Sequence, residues 1–207
     1  MKRKIKNLLF DFGNVLIDID LDEAYARLES LFRKDFKREV VEKAYLDYEC
    51  GRISTDLFIN GILSQCEHRV HALDVIEAWN SMLIGIPEYR LDMLDKLRLN
   101  YNVYLLSNTN EIHEAAFNRM LQQTCGYPTL AVFFDKIYLS HRIGLRKPDP
   151  RAFELIIHEN NLIPEQTLFI DDSIQHIEAA SALGLKTIHV SGDMTMEKDI
   201  FRQKPAL

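Results

Sequence analysis

The chain has 207 residues, of which 47% are hydrophobic and 27% charged, and its 31 acidic and 25 basic side chains give a formal net charge of -6. This composition is typical of a globular protein and excludes a disordered, fibrous or membrane-spanning chain. The acidic balance argues against nucleic acid or a membrane surface as a partner, so any phosphate group must be held by local side chains. The length allows one or two domains.

The cysteines and the first residues indicate a cytoplasmic protein. Cys50, Cys66 and Cys125 are an odd, scattered set without a CxxC pair, which is not the pattern of a disulfide framework or a zinc site. A basic start is followed by apolar residues, but Asp11 interrupts them before they reach the length of a signal peptide. No apolar run approaches the ~20 residues that a membrane helix needs. We therefore expect reduced thiols and a cytoplasmic location.

Five short apolar runs predict buried β-strands. They occupy residues 8–10, 103–106, 137–139, 168–170 and 187–190. Segments with helical periodicity at 111–121, 150–158 and 174–183 separate the last four runs. Strands that alternate with helices in this way are typical of a parallel sheet with crossover helices. This part of the chain is therefore predicted to be a doubly wound α/β domain.

The segment between the first and second predicted strands has a different character. From residue 20 to residue 86 the apolar residues have helical spacing with almost no strand signal, and about four helices fit into this length. Gly51 suits a break between two helices, and Ser54 suits the N-cap of the next one. We therefore predict an all-helical cap domain at 17–86, inserted into an α/β core domain that comprises 1–16 and 87–207.

Polar side chains stand where the predicted strands end. Ligands of open parallel sheets bind outside the carboxyl ends of the strands, so these positions are the first candidates for a site. They are Asp11 after the first strand, Ser107 and Asn108 after the second, and Asp171 and Asp172 after the fourth. Lys147 lies in the segment RKPDP, just before the helix that leads to the fourth strand. Together these residues predict one charged cluster.

The chemistry of this cluster favours a divalent metal and phosphoryl transfer. Carboxylates that lie close together repel one another and hold protons unless a cation compensates them. Mg²⁺ prefers hard oxygen ligands and completes its shell with water or a substrate phosphate. An aspartate beside the metal and Lys147 can attack phosphorus, giving an aspartyl-phosphate that water then hydrolyses. Ser107 and nearby backbone N–H groups can hold the phosphate oxygens.

Four segments, in this order, resemble the four motifs of the haloacid dehalogenase (HAD) superfamily of hydrolases. They are LLFDFGNVLIDID, LLSNTNEIH, IYLSHRIGLRKPDP and LFIDDSIQHIEAA, and they are most similar to the bacterial glucose-1-phosphate phosphatase group. The resemblance implies a Rossmann-like core with a helical cap that closes over small substrates. It also implies a magnesium-dependent phosphatase whose partner is a small phosphate ester, with a sugar phosphate as the first candidate.

The resemblance also implies a role for each motif residue. Asp11 would be the nucleophile and a metal ligand, the Gly13 carbonyl a second ligand and Asp172 the third, with Asp171 supporting the metal from nearby. Ser107 and Asn108 would bind the phosphoryl group. Lys147 would pair with both Asp11 and the phosphate.

Gly13 departs from the wider pattern of the superfamily. Most of its phosphatases carry a second aspartate two positions after the nucleophile as general acid and base, whereas the group named above has glycine there, as this chain does. Without that carboxylate, the substrate can be an anomeric phosphate, whose leaving oxygen is more acidic than that of a simple alcohol. Alternatively Asp18, Asp20 or His176, or a water held by one of them, donates the proton.

Two other functions fit parts of the pattern. A 2-haloacid dehalogenase would attack carbon without a metal, but the charges of Asp171 and Asp172 would repel its anionic substrate. A non-catalytic binding protein on a degenerate scaffold is suggested by Gly13 and opposed by the presence of Asp11 and Lys147 with the other motif residues.

Three histidines at helical positions and the single tryptophan are expected to have mainly structural roles. His113 and His158 are predicted to be packed or partly exposed, because they lack metal-ligand spacing. His176 lies one turn after Asp172 and can approach the rim of the site. Trp79, with Met82 and Leu83, is predicted to form a helix face packed within the cap.

Overall fold

The computed structural model describes residues 4–191 and residue 194, and within them the core is a parallel five-stranded sheet. Its strands lie in the order β5-β4-β1-β6-β7. The strands are β1 (Asn7–Phe10), β4 (Asn102–Ser107), β5 (Lys136–Leu139), β6 (Thr167–Asp171) and β7 (Lys186–His189). A separate antiparallel ribbon pairs β2 (Asp18–Ile19) with β3 (Leu83–Gly85). The predicted α/β class and the five predicted strands are confirmed.

Helices cover both faces of this sheet and form the inserted segment. The insertion contains α1 (Leu21–Leu31), α2 (Arg38–Glu49), α3 (Thr55–Leu63) and α4 (Ala72–Asn80). The core contains α5 (Glu88–Arg98), α6 (Glu111–Cys125), α7 (Ser140–Ile143), α8 (Pro150–Glu159) and α9 (Ile174–Ala182), with short 3₁₀ helices at Leu130–Phe133 and Pro164–Gln166. Among the described residues, no helix combines the length and apolar character that crossing a membrane requires.

The strands are buried because their apolar side chains serve two hydrophobic clusters. Leu8 and Phe10 of β1 point into a cluster that includes residues of α5 and α6, whereas Leu9 between them points into a second cluster that includes residues of α8 and α9. Alternate residues of a strand face opposite sides of the sheet, so a continuous apolar run marks a strand covered on both faces. This burial on both faces explains why the strands could be predicted from short, continuous apolar runs in the sequence.

The inserted helices pack around a core of their own. Tyr48, Phe58 and Trp79 are its large aromatic members, and Tyr48 stacks on Phe58 with 4.4 Å between ring centroids. Gly51 ends the α2 region with a positive φ of 64°, and the Ser54 side chain accepts a hydrogen bond from Leu57 N at the start of α3. The four helices agree with the expected number, while the domain limits 17–86, 1–16 and 87–207 stay a prediction.

Two features of residues 17–86 differ from the expectation. The β2–β3 ribbon was not predicted, because strands of two and three residues are too short to show an alternating pattern. Met82 and Leu83 do not share a helix face with Trp79, since α4 ends at Asn80. Leu83 lies in β3 and packs against the first sheet cluster, whereas Trp79 lies in the helical insertion.

Candidate active site

The parallel register brings the predicted site residues to one edge of the sheet. Phe10 pairs with Leu105 of β4 and with Ile170 of β6, so the residues that follow these strands lie side by side. Asp11 follows β1 directly, Ser107 is the last residue of β4, and Asp171 is the last residue of β6. One carboxylate oxygen from each of Asp11, Asp171 and Asp172 lies within 4.8 Å of the others. The predicted acidic cluster is therefore present as a geometric feature.

Lys147 lies at the centre of this cluster and is 0% exposed. Its ammonium donates hydrogen bonds to Asp11 Oδ1 at 2.5 Å and to Asp171 Oδ2 at 2.8 Å. Burial opposes the charged form, but the charges of Asp11 and Asp171 outweigh it and raise the pKa of Lys147 above its ordinary value. The lysine is therefore a cation held between two carboxylates.

The pKa values of Asp11 and Asp171 are shifted in opposite directions. Burial is the main cause that raises the pKa of Asp11 from 3.8 to about 6; the charges of Asp171 and Asp172 act in the same direction and Lys147 opposes them. Asp171 is also buried, yet Lys147 and the hydrogen bond with His176 lower its pKa from 3.8 to about 2. Burial and the neighbouring carboxylates thus make the ionised form of Asp11 costly in spite of its bond to Lys147.

The donor set of this cluster fits a divalent cation. Three hard carboxylate groups lie close together, two of them bound to the ammonium of Lys147. The third, Asp172, has its Oδ2 oriented by a 3.0 Å hydrogen bond from the side chain of Asn14. Asn14 has a positive φ of 53° in the turn that follows Asp11 and Gly13. Crowded oxygen donors with excess negative charge are the type of site that Mg²⁺ occupies in proteins.

Asn108 holds the loop that carries Lys147. Its side-chain amide donates to the Lys147 carbonyl and its side-chain oxygen accepts from the Lys147 N–H, both at 2.9 Å. These two bonds engage both polar groups of the Asn108 side chain with the Lys147 backbone. The motif placed Asn108 at the site, but no local signal in the sequence indicated this contact across 39 positions.

The neighbouring loop is also fixed by hydrogen bonds. Ser140 is 0% exposed, and its hydroxyl accepts from Thr109 N and donates to Thr109 O, both at 2.9 Å. The Asn110 side chain accepts from His113 N and so begins α6. These hydrogen bonds hold the backbone of the loop that follows β4. Ser107, the last residue of β4, is 3% exposed and lies next to this loop.

The three candidate proton donors have different surroundings. Asp18 accepts a hydrogen bond at 2.8 Å from Arg90, and Asp20 accepts from Glu23 N as the N-cap of α1. His176 Nδ1 lies 3.0 and 3.1 Å from the two oxygens of Asp171, so it contacts the acidic cluster through that residue. Of the three, only His176 has a contact with the cluster among the hydrogen bonds of the described residues.

Gly13 lies beside the side chain of Ile19, which would have to shift slightly to admit a larger residue. A Cβ atom there would lie 3.0 Å from Ile19 Cδ1, which is closer than most real Cβ contacts. Ile19 belongs to the β2–β3 ribbon, which was not predicted. The structure therefore places an apolar side chain beside the point where a second aspartate would begin.

The junction between the helical insertion and the core contains a buried histidine. His113 is 6% exposed and stacks on Trp79 with 5.2 Å between ring centroids, and its Nε2 lies 3.0 Å from the Trp79 carbonyl. Burial lowers the pKa of His113 from 6.5 to about 4, against the opposing effect of that hydrogen bond. His113 is thus packed, and His158 is exposed.

The chain is similar to known hydrolases over most of its length. The family model of haloacid dehalogenase-like hydrolases matches residues 5–184. The chain is 33% identical over 187 residues to the D-ribitol-5-phosphate phosphatase of Bacteroides thetaiotaomicron, covering 88% of this chain and 90% of that protein. It is 30% identical over 193 residues to the phosphorylated carbohydrates phosphatase of Thermotoga maritima, covering 88% and 83%.

A solved structure is similar over almost the whole chain. It is that of a HAD-family enzyme of Bacteroides thetaiotaomicron in complex with magnesium and inorganic phosphate. The TM-score is 0.80 at 34% identity, and the alignment covers 92% of this chain and 96% of that chain.

Proposed function

Since the chain belongs to the haloacid dehalogenase-like hydrolases, we propose that it is a magnesium-dependent phosphatase that works through an aspartyl-phosphate on Asp11. It is an enzyme that hydrolyses phosphate esters. One observation carries the proposed mechanism: the Lys147 ammonium lies between Asp11 and Asp171, with an oxygen of Asp172 close to both carboxylates.

The proposed metal ligands are Asp11, the Gly13 carbonyl and Asp172, with Asp171 supporting the ion from nearby. The convergence of three carboxylates on one lysine, which leaves an excess of negative charge, supports this set. When bound, Mg²⁺ would neutralise the cluster and withdraw charge from the phosphoryl oxygens. Because Asp171 already binds Lys147, Ser173 N and His176, its proposed part is to hold these neighbours rather than to complete the shell.

The protein's own groups then perform the transfer. Lys147 engages Asp11 Oδ1, so Oδ2 attacks phosphorus; an oxygen–phosphorus bond forms to Asp11 while the ester bond to the leaving oxygen breaks. The Ser107 hydroxyl and the Asn108 N–H hold the phosphoryl oxygens, and Lys147 offsets their charge. Water then attacks the phosphorus of the aspartyl-phosphate, which releases inorganic phosphate and restores the carboxylate.

The substrate class that we propose is a small phosphorylated sugar or polyol. The two curated relatives act on ribitol 5-phosphate and on phosphorylated carbohydrates by their names, and the sequence motifs resemble the glucose-1-phosphate phosphatase group. The proposed cap at 17–86 would close over this leaving group and set specificity. A cytoplasmic location and a small-molecule partner belong to the same proposal.

Because position 13 has no carboxylate to act as general acid, the two kinds of substrate should differ in how readily the leaving group departs. Ribitol 5-phosphate has an ordinary alcohol as its leaving group, whereas glucose 1-phosphate has a more acidic hemiacetal oxygen. A positioned general acid contributes about 10²- to 10⁴-fold. Without one, the rate constant should depend steeply on leaving-group acidity across a graded series of esters. A shallow dependence that persists in Asp18→Asn, Asp20→Asn and His176→Ala would refute two hypotheses: that no general acid operates, and that one of these residues donates the proton to the leaving group.

Phosphate and halide release test the proposed function directly. We expect the purified protein to release phosphate from sugar and polyol phosphates only with Mg²⁺, and to release no halide from a 2-haloacid. Asp11→Asn should abolish turnover because an amide is a poor nucleophile, while Asp92→Asn, an exposed aspartate on α5, should not change it. Halide release without Mg²⁺ would identify a dehalogenase, and substantial phosphatase activity of Asp11→Asn would contradict covalent catalysis.

A further inference from the structure

Glu49 is a buried carboxylate that joins the helical insertion to the loop of Lys147. It is the last residue of α2, is 4% exposed, and its Oε2 accepts a 2.7 Å hydrogen bond from Arg146 Nε. Its Oε1 accepts a 2.6 Å hydrogen bond from the Tyr45 hydroxyl. Glu49 and Arg146 are 97 positions apart. Both carboxylate oxygens are therefore engaged, one within the insertion and one in the core.

The position of Arg146 makes this contact relevant to the active site. Arg146 directly precedes Lys147, whose backbone N–H and carbonyl are held by Asn108 and whose ammonium is held by Asp11 and Asp171. The loop of Lys147 is thus held by the core at two points and by the insertion at a third. A shift of α2 relative to the core would be transmitted to the residue beside Lys147.

An ion pair with one buried and one partly buried partner, here Glu49 at 5% and Arg146 at 31% side-chain exposure, is not well explained by stability alone. Removing two charges from water costs free energy that their attraction does not always repay, and an apolar pair of similar volume is often as stable. What the pair does provide is a directional contact, since the Arg146 Nε–H must point at one carboxylate oxygen. Such a contact can fix the position of one element relative to another.

The same corner of the insertion also contacts the start of α6, directly after the loop at 108–110 that follows β4. The Tyr48 hydroxyl accepts from Ile112 N at 3.1 Å, and the Thr55 hydroxyl donates to Glu111 at 2.5 Å. A Cβ atom on Gly51 would lie 2.1 Å from the His141 carbonyl oxygen, so the two parts approach closely. This corner of the insertion therefore contacts both the loop of Lys147 and the start of α6.

We propose that Glu49 is a positioning residue for Lys147, through its ion pair with Arg146. Docking of the insertion completes the set of contacts that holds Lys147 between Asp11 and Asp171. The effect on turnover rests on the proposed phosphatase function, while the effect on the loop does not.

The test compares Glu49→Gln with Asp47→Asn in the full-length protein. Asp47 lies on the same helix, and its ion pairs with Lys43 and Arg52 stay within the insertion. Glu49→Gln removes the negative charge that pairs with Arg146. Its amide NH2 must face either Arg146, which can only donate, or Tyr45, whose hydroxyl would have to rotate to accept. We expect kcat to fall by about 10-fold with KM nearly unchanged, because a 1 Å misplacement costs up to ~10²-fold. Asp47→Asn should keep the wild-type kcat.

Amide hydrogen exchange supplies a readout that is independent of activity. The N–H groups of Gly144, Lys147 and Asp149 are hydrogen bonded, so segment 144–149 should be protected in the wild type. Exchange there should accelerate in Glu49→Gln and stay unchanged in Asp47→Asn. Should Glu49→Gln not fold, Arg146→Lys, which keeps the charge but not the planar guanidinium, should give the same pattern more weakly.

The outcomes separate this inference from the proposed function. Unchanged exchange in segment 144–149, or an unchanged kcat in a folded and active Glu49→Gln protein, would overturn the role of Glu49. A wild-type protein without phosphatase activity would overturn the proposed function, and the exchange comparison would still decide whether Glu49 positions the loop.

Discussion

Acidification should destabilise the protein through His113, the buried histidine between the helical insertion and the core. The Trp79 carbonyl can only accept a hydrogen bond, so His113 Nε2 carries the proton and Nδ1, 3.1 Å from Asn110 Nδ2, accepts from that amide. Only the neutral imidazole can accept from Asn110, whereas Nε2 donates to the Trp79 carbonyl in both protonation states. Burial lowers the pKa of His113 from 6.5 to about 4, so the folded protein resists the proton that the unfolded chain accepts.

The direction and size of the effect follow from these two pKa values. The stabilising contribution of neutral His113 is complete above pH 6.5 and is lost as pH falls through this value toward about 4. A difference of about 2.5 pH units, at about 1.4 kcal/mol per unit, corresponds to about 3.5 kcal/mol in total. About 2 kcal/mol of this should disappear between pH 7.5 and pH 5.

Urea unfolding followed by the fluorescence of Trp79, the single tryptophan of the chain, measures this contribution. The free energy of unfolding is compared at pH 7.5 and pH 5 for wild type, His113→Gln and His158→Gln, whose histidine is exposed on α8. Titration of Asp11 and other groups is common to all three proteins and cancels in the differences. Between these pH values His113→Gln should lose about 2 kcal/mol less than the other two proteins. An equal loss in all three would refute the reasoning.

Three further substitutions test the catalytic cluster. Asn108→Ala should lower kcat by about 10²-fold in steady-state assays, because the Lys147 backbone loses both hydrogen bonds; an unchanged kcat would contradict that role. Asp172→Asn should raise the Mg²⁺ concentration for half-maximal activity by about 10-fold or more, and an unaltered metal titration would exclude it as a ligand. Gly13→Asp combined with Ile19→Val should flatten the dependence on leaving-group acidity more than Gly13→Asp alone, since Ile19 crowds that position. Equal slopes in those two variants would show that Ile19 does not limit an acid there.

The parts of the fold that could be predicted from the sequence are those with a strong local pattern. The run at 168–170 is buried on both faces in β6, and Ser54 caps α3 through its own side chain, so each signal depends on a few adjacent residues. The β2–β3 ribbon has no such signal, because its strands are short and half-buried. The sequence favours a helix face for Leu83 only weakly, because an isolated apolar residue fits both the period of a helix and that of a strand.

In the candidate site too, positions marked by a local pattern could be predicted, whereas contacts between distant residues could not. Asp11, Ser107 and Asp171 could be placed because they end strands of a parallel sheet, whose register aligns them. The contacts of Asn108 with Lys147, and of Glu49 with Arg146, join residues 39 and 97 positions apart and depend on how the loops pack. Burial also decides the charge state of each group, and the pKa of about 6 at Asp11 was not foreseeable from its residue type.

Trapping the intermediate on Asp11 tests the central claim most directly. The protein is mixed with Mg²⁺ and an excess of substrate, quenched in acid within one turnover, and treated with borohydride, which reduces an acyl phosphate to an alcohol. Mass spectrometry of the peptide that contains Asp11 should then show homoserine at position 11, and not in protein quenched without substrate. An unmodified Asp11 in protein that releases phosphate at its full rate would contradict covalent catalysis by this residue.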